Sequence, residues 1–263
     1  MEANGNKEGT NQRFPSLLNA MRQATVLEDL RARIARIEGV GVRHEAIPFG
    51  IDELDGRLPA GGIAAGALHE VAGSPDLADD ASATIFLAGI LARMQGPVFW
   101  CLRWRDLFAP SLHLAGLHPD RVIYVEAGSD TNVLLAMEEC LRHAGVAGVV
   151  GEVGKYSTTA SKRLQLAAES SGVAAFVFRR AAKAEQVAEG TAAVTRWRIT
   201  ASPSEDLGIP SLGRPRWQVD LERVRGGNPH AWIVEACDAT GRIALPAALV
   251  DRPAAAEDRK IVA

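Results

Sequence analysis

The sequence predicts an α/β fold built on a largely parallel sheet with helices on both faces. Two observations carry this prediction. Between positions 67 and 179, short apolar strands alternate with helical segments of about 10 to 15 residues, which is typical of right-handed βαβ crossovers. In addition, the first strand leads into a glycine-started polar loop and an alanine-rich helix, which is the layout of a phosphate-binding loop.

The composition is that of an ordinary globular protein, with 47% hydrophobic and 23% charged residues among 263. A net charge of −3 argues against a strongly basic, dedicated nucleic-acid binder. Three widely spaced cysteines indicate reduced thiols, and the six histidines follow no metal-binding spacing. No apolar run reaches the roughly 18 to 20 residues of a membrane span, and the N-terminus lacks a signal core. We therefore expect a cytoplasmic protein without membrane contact.

Four regions are predicted along the chain. Residues 1–13 are polar and glycine-containing and are expected to be disordered. Residues 14–45 carry apolar side chains at helical spacing and form a helical arm and linker, which packs on its own domain or, alternatively, binds a partner. The core spans 46–235, and 236–263 form a tail that is loosely held after Pro246.

Within the core, the first strand covers 67–72, the polar loop runs from Gly73 to Asp80, and a helix continues to Gly96. Further strands are predicted at 97–102, 121–126, 147–153 and 173–179, with helices at 107–116, 132–144 and 158–171. From position 192 the hydrophobic period changes to two, at 194–201, 216–225 and 231–235. These runs predict antiparallel strands that extend the sheet at its C-terminal end.

The loop lacks the residues that bind a nucleoside triphosphate. A working loop reads G-x-x-x-x-G-K-[ST], in which the lysine reaches the terminal phosphates and the hydroxyl binds magnesium. Counting back from the end of the helix places these last three positions at Asp80, Ala81 and Ser82. No lysine or arginine occurs between positions 57 and 93, so the loop itself supplies no cation.

Three acids, Asp76, Asp79 and Asp80, stand where the triphosphate would lie. Like charges about 4 Å apart repel by roughly 4 kcal/mol at an effective dielectric constant of 20, so ATP would meet repulsion. Acidic side chains at a helix N-terminus are stabilising, because they accept hydrogen bonds from unpaired N–H groups and complement the macrodipole. We interpret the segment as a phosphate loop converted into an acidic helix cap; an ordinary strand-loop-helix crossover is the alternative.

The order of elements resembles the core of RecA and RadA proteins over about residues 45 to 235, and more closely the ImuA family. The resemblance rests on FGIDELDGRLPAGGIAAGALHEVAG, on DLFAPSLHLAGLHPDRVIYV, and on the run R-W-x-V-x-L-x-R-x-R-G-G that starts at position 216. ImuA proteins are RecA-like accessory factors of bacterial damage-induced mutagenesis. The resemblance therefore implies a RecA-like phosphate-loop core.

The sequence departs from active RecA-like ATPases at two further positions. Where these enzymes place a catalytic glutamate after the second core strand, this chain has Arg103-Trp104-Arg105. Where they place a magnesium-binding aspartate, only Glu152 is available, and we expect it to be a solvated or hydrogen-bonded residue at a strand end. The predicted remnant of the nucleotide site is Gly73, Asp80, Ala81, Ser82 and Glu152, with no catalytic residue, metal ligand or cofactor.

Arginine and tryptophan alternate in the C-terminal strands, a composition found at protein interfaces and in single-stranded nucleic-acid binding sites. Alternation also allows a simpler interpretation, in which the tryptophans pack inward and the arginines point outward. The nearby acids Asp220 and Glu222 weaken the case for nucleic acid. The predicted partner-binding residues are Trp197, Arg216, Trp217, Arg223, Arg225 and Trp232. Lys155 and Tyr156 lie on a loop at the carboxyl edge of the sheet, where α/β proteins place binding sites.

The resemblance implies a non-enzymatic scaffold for DNA repair and translesion synthesis. Its implied partner is an ImuB-type homologue of Y-family polymerases, together with an error-prone replicative polymerase and RecA, with weak contact to DNA. One alternative is a divergent RecA-like ATPase or recombination factor that binds nucleotide through backbone N–H groups and Ser82. Another is a small-molecule or nucleic-acid binder on the same sheet.

Overall fold

A computed structural model describes residues 45–143, 145–180, 190–204 and 213–246. The predicted disordered segment 1–13 and the helical arm 14–45, apart from its last residue, lie outside the described residues. So does the part of the predicted tail from 247 to 263.

The described elements follow the predicted order closely. They are β1 (Ala46–Ile47), α1 (Asp52–Asp55), β2 (Ile63–Ala64), β3 (Leu68–Ala72), α2 (Leu77–Ala92), β4 (Val98–Leu102), α3 (Ala109–Leu114), a 3-10 turn (Pro119–Arg121), β5 (Val122–Glu126), α4 (Asp130–Cys140), β6 (Gly148–Val153), α5 (Thr158–Ser171), β7 (Ala174–Arg179), β8 (Thr195–Ser202), β9 (Arg216–Val224) and β10 (His230–Glu235). Within the described residues, no helix has the combined length and apolarity to cross a bilayer.

The central sheet has eight strands in the order β10-β9-β8-β3-β7-β6-β4-β5. Neighbouring strands from β8 through β5 are parallel, while β9 is antiparallel to both β8 and β10. Every residue of β3, β6 and β7 is buried, because these central strands have helices on both faces. The prediction of a mostly parallel sheet with antiparallel C-terminal strands is confirmed.

One core layer lies between the sheet and α2, and the other between the sheet and α4 and α5. Gly151 on β6 permits close packing on the second face, since a Cβ atom there would lie 2.0 Å from the sulfur of Met137 on α4. On the first face, Phe86 of α2 stacks on Phe49 and also contacts Trp197, with ring centroids 5.8 and 5.9 Å apart. These contacts join the N-terminal lead-in to the C-terminal strands.

The acidic lead-in of the core is a turn held by one carboxylate. Asp55 accepts hydrogen bonds from the backbone N–H groups of Phe49, Gly50 and Ile51, at 2.7, 2.8 and 3.2 Å. Gly50 has φ of +79°, a conformation in which glycine avoids the strain of a Cβ atom. The residues of this motif therefore shape the chain rather than face the sheet edge where ligands bind in α/β proteins.

Residues 236–246, predicted to start the tail, pack on the core. The backbone N–H of Glu235 donates to Ala244 O at 2.8 Å, and that of Ala236 donates to Pro215 O at 2.7 Å. Ile243 is 6% exposed. The packed part of the chain therefore extends beyond Glu235 to Ala244, because these residues form β-bridge hydrogen bonds and bury an apolar side chain.

Candidate functional site

The carboxyl ends of β3, β4, β6 and β7 meet at one edge of the sheet and surround a cavity of about 370 Å³. Its walls come from residues 74–77, 80, 103, 104, 106, 152–154 and 180. This is the edge at which open α/β sheets bind ligands. The cavity therefore occupies the place that the phosphate-binding layout predicts for a nucleotide.

The loop between β3 and α2 is folded back on the helix. Residues 73–76 form it, and a Cβ atom on Gly73 would lie only 2.8 Å from Asp80 Cα. The Ser74 hydroxyl donates to Asp79 at 2.5 Å and accepts from the backbone N–H of Asp76 at 3.0 Å. Pro75 has no N–H group to offer. The Ser74 hydroxyl and the Asp76 N–H are thus both engaged in hydrogen bonds next to the cavity.

The acids of this segment have three different roles. Asp76 caps α2, as predicted, by accepting from the backbone N–H of Ala78 at 2.8 Å. Asp79 accepts from the backbone N–H of Ala201 on β8 at 2.7 Å, which ties the helix start to the C-terminal strands. Asp80 is 6% exposed and lines the cavity. The prediction that the acids cap the helix is therefore correct for Asp76. Asp79 instead bonds to β8, and Asp80 lines the cavity.

The helix begins earlier than predicted, and this moves two of the predicted nucleotide positions away from the cavity. Because α2 starts at Leu77, Asp80, Ala81 and Ser82 all lie within it. The Ser82 hydroxyl donates to Ala78 O at 2.8 Å, inside the helix. Of the five predicted remnant residues, Asp80 and Glu152 line the cavity, whereas Gly73, Ala81 and Ser82 do not. The prediction that the Ser82 hydroxyl faces a ligand is therefore wrong.

A cation does enter this cavity, and it comes from a residue 100 positions after Asp80 in the sequence. Arg180 follows β7, and its guanidinium donates to Asp80 at 3.1 Å, to Asp106 at 2.7 Å and to Glu152 at 3.2 Å. Burial lowers the pKa of Arg180, but the Glu152 charge and the hydrogen bonds to Asp80 and Asp106 outweigh it and raise the pKa overall. One permanent cation thus joins a helix, a loop and a strand end.

Glu152 is buried and fully engaged. It is 3% exposed, and the indole N–H of Trp100 donates to its Oε1 at 2.7 Å while Arg180 contacts Oε2. Burial raises its pKa, opposed by the Trp100 hydrogen bond and by the Arg180 charge. The prediction that Glu152 is a hydrogen-bonded residue at a strand end is confirmed. The alternative that its carboxylate is solvated is wrong.

The Arg103-Trp104-Arg105 segment organises the opposite wall. Arg103 donates to Asp130 at 3.0 Å, and Asp130 also accepts from the backbone N–H groups of Gly154 and Lys155. The Arg103 guanidinium lies over the Trp104 ring, 5.7 Å from its centroid. This segment therefore holds the β6 end loop and orients an exposed indole.

A second charged cluster lies inside the protein and centres on Glu70 of β3. Glu70 is 0% exposed and accepts hydrogen bonds from Arg179, Tyr156, Thr191 and Arg196, all at 3.0–3.2 Å. Burial and the Glu70 charge raise the pKa of Tyr156, which stays protonated as a donor. Sequence reasoning gave Glu70 no role, although an acid in a buried strand is a signal that a partner cation must exist.

The comparisons with known proteins agree with this architecture. No protein-family profile matches the chain. Protein ImuA of Caulobacter vibrioides (strain NA1000 / CB15N) is 38% identical over 209 residues, which cover 73% of this chain and 84% of the relative. The chain belongs to the ImuA family. Protein ImuA of strain ATCC 19089 / CIP 103742 / CB 15 matches to the same extent.

The crystal structure of the RadB recombinase is similar in fold. It aligns with a TM-score of 0.55 and 15% identity, over 76% of this chain and 99% of the solved chain. At that identity the likeness concerns the fold alone. It identifies the core of this ImuA family member as RecA-like.

The tryptophans of the predicted partner surface are core residues in this ImuA family member. Trp197, Trp217 and Trp232 are 0%, 3% and 4% exposed, so they are wrong as surface contacts. The alternation of strand side chains turns them inward, onto α2 and its neighbours, as the simpler interpretation predicted.

The arginines of the same set are partly exposed, and two of them support the backbone next to the Glu70 cluster. Arg223 donates to Thr191 O at 2.7 Å and Arg225 donates to Ala192 O at 2.9 Å. Arg216 begins β9. A partner role for these three arginines stays a prediction.

Proposed function

We propose that this chain is a non-catalytic RecA-like accessory protein of DNA-damage-induced mutagenesis and translesion synthesis. It acts as a scaffold that binds an ImuB-type homologue of Y-family polymerases, alongside RecA and an error-prone replicative polymerase. Membership of the ImuA family and the RecA-like core support the accessory role.

The observation that carries the non-catalytic part is the position of Arg180. In RecA-like ATPases, a loop lysine contacts the terminal phosphates and carboxylates hold magnesium. In this chain the guanidinium of Arg180 contacts Asp80, Asp106 and Glu152 together, so an internal cation occupies the carboxylates that would otherwise face a metal ion. The loop next to it has no lysine and is folded onto α2.

The charge balance also opposes a triphosphate. Four carboxylates line the cavity, from Asp76, Asp80, Asp106 and Glu152, against two guanidinium groups. Both arginines already pair with acids. An incoming triphosphate would have to displace these pairs and approach uncompensated carboxylates, which costs several kcal/mol at short range.

Titration with Mg-ATP should leave the unfolding temperature of the protein unchanged. A ligand present at 100 times its dissociation constant would stabilise the fold by about 2.7 kcal/mol, an effect that thermal unfolding detects easily. A RecA-like ATPase with an intact lysine loop serves as the positive control. A dose-dependent shift together with ATP hydrolysis would overturn the proposal in favour of a divergent ATPase.

If the chain acts as a scaffold, it should co-purify stably with the ImuB-type protein in the absence of nucleotide. We expect the complex to survive Ser82→Ala, since that hydroxyl donates to Ala78 O within α2 and does not line the cavity, provided that thermal unfolding shows a folded variant. Arg142→Ala, which removes an exposed charge in the turn after α4, is the control. A complex that forms only with Mg-ATP would contradict a nucleotide-independent scaffold.

A further inference from the structure

Two strongly exposed apolar side chains line the 370 Å³ cavity. Leu77 at the start of α2 is 79% exposed, and Trp104 in the loop after β4 is 60% exposed. Large apolar groups grouped around a concavity mark interaction sites more often than free surface. Tryptophan in particular is enriched among residues that dominate binding energy.

The Trp104 ring is already held in place before any partner arrives. The guanidinium of Arg103 lies over it at 5.7 Å, and Arg103 is fixed in turn by Asp130 on α4. A side chain held in this way loses little conformational freedom on binding, which favours affinity.

The polar wall of the same cavity has an excess of negative charge. Four carboxylates and two guanidinium groups line it, a formal charge of −2. Arg180 is shared among three of the carboxylates, and Arg103 pairs with Asp130. The Asp106 side chain is 50% exposed and Asp76 is also exposed, so both can still meet an incoming group.

We propose that this cavity is the docking site for an extended segment of a partner protein that carries an arginine or lysine beside an apolar side chain. The cation lies against Asp106 and Asp76, and the apolar side chain packs on Trp104 and Leu77. The volume is at the small end of the range for ligand pockets, about 300–1,000 Å³, which suits inserted side chains rather than a folded domain. This inference rests on the proposed scaffold role and names where and how one partner binds.

Selection of a random library of short displayed peptides against the full chain tests the inference. We expect the selected peptides to share an arginine or lysine next to an apolar or aromatic residue. One selected peptide is then synthesised, and its binding is measured by fluorescence anisotropy. Its affinity should fall about thirtyfold in Trp104→Ser, as for an interface hot spot. It should weaken with rising salt and, more modestly, in Asp106→Asn, since the contact includes a partly exposed ion pair.

Replacing the cation of the peptide by glutamine should weaken binding to the unmodified protein more than to Asp106→Asn, which isolates the pairwise contact. Leu166→Ser on α5 and Asp120→Asn are matched controls, because both side chains are strongly exposed away from the cavity. Both should bind the peptide normally, and thermal unfolding of every variant checks its fold.

Three results would each overturn the docking site. They are a selection that yields no binding peptide, selected peptides without a cation, and selected peptides that bind Trp104→Ser as tightly as the unmodified protein. These results leave the proposed function standing if Mg-ATP still causes no thermal shift. A nucleotide-induced shift would instead remove the scaffold proposal on which the docking site rests.

Discussion

Replacing Glu70 by alanine is expected to lower the free energy of unfolding by about 3–5 kcal/mol, the largest single effect that we predict. Glu70 is the counter-ion of Arg179 and Arg196, which are 1% and 8% exposed. Without the carboxylate, the guanidinium of Arg179 stays inside the protein and loses its ion pair with Glu70. Chemical denaturation followed by tryptophan fluorescence measures the change.

The control for this substitution is Glu139→Ala on α4. Glu139 pairs with Arg142, and both side chains are 65% exposed, so we expect a change below about 1 kcal/mol. The double variant Glu70→Leu with Arg179→Met should regain part of the loss, because an apolar pair replaces a broken ion pair. A Glu70→Ala protein as stable as the Glu139→Ala protein would show that the cluster contributes little.

Acidification is expected to remove about 3 kcal/mol of stability through His69 alone. His69 is 0% exposed, and burial lowers its pKa from 6.5 to about 4, against a small opposing effect of its hydrogen bond to Ala64. The folded state therefore binds fewer protons than the unfolded state between these two values. Stability from this residue is complete above pH 6.5 and is lost as the pH falls towards about 4.

The hydrogen bonds around His69 define the tautomer of its neutral ring. The indole N–H of Trp197 can only donate, and it donates to the Thr195 hydroxyl at 2.7 Å. That hydroxyl then donates to His69 Nδ1 at 2.7 Å, and Nε2 donates to Ala64 O at 2.9 Å. Protonation of Nδ1 would end this accepting contact and place a positive charge in a fully buried site.

His69→Gln isolates this contribution. Its stability should depend on pH less steeply than that of the unmodified protein across the window from 6.5 to 4. Unfolding by urea at a series of pH values measures both slopes. Equal slopes in the unmodified and His69→Gln proteins would contradict a lowered pKa.

Most of the fold could be predicted from the sequence because the spacing of apolar residues along each segment indicates whether it forms a helix or a strand. Helix α5 (Thr158–Ser171) has its predicted bounds, and the crossovers from β3 to β7 follow from alternating strands and helices. The period of two in β9 also indicated that Trp217 packs inward, although the composition suggested a surface role. Residue type alone does not distinguish a buried tryptophan from an interface tryptophan.

The candidate site was only half predictable. The missing loop lysine and the acids Asp80 and Glu152 are visible in the sequence, but Arg180 is separated from Asp80 by 100 positions. No local pattern connects Asp106, Glu152 and Arg180. They meet because parallel strands place their carboxyl ends at the same edge of the sheet.

The sequence by itself determined the α/β architecture, the family resemblance and the absence of lysine from the loop after β3, since each depends on residues close together in the chain. Only the tertiary structure decided which charges face one another: that Arg180 pairs with three carboxylates at the edge of the sheet, that Glu70 is the centre of a buried cluster, and that Trp104 alone of the tryptophans is presented to solvent among the described residues. Electrostatic partners are chosen by proximity in space, and sheet order sets that proximity.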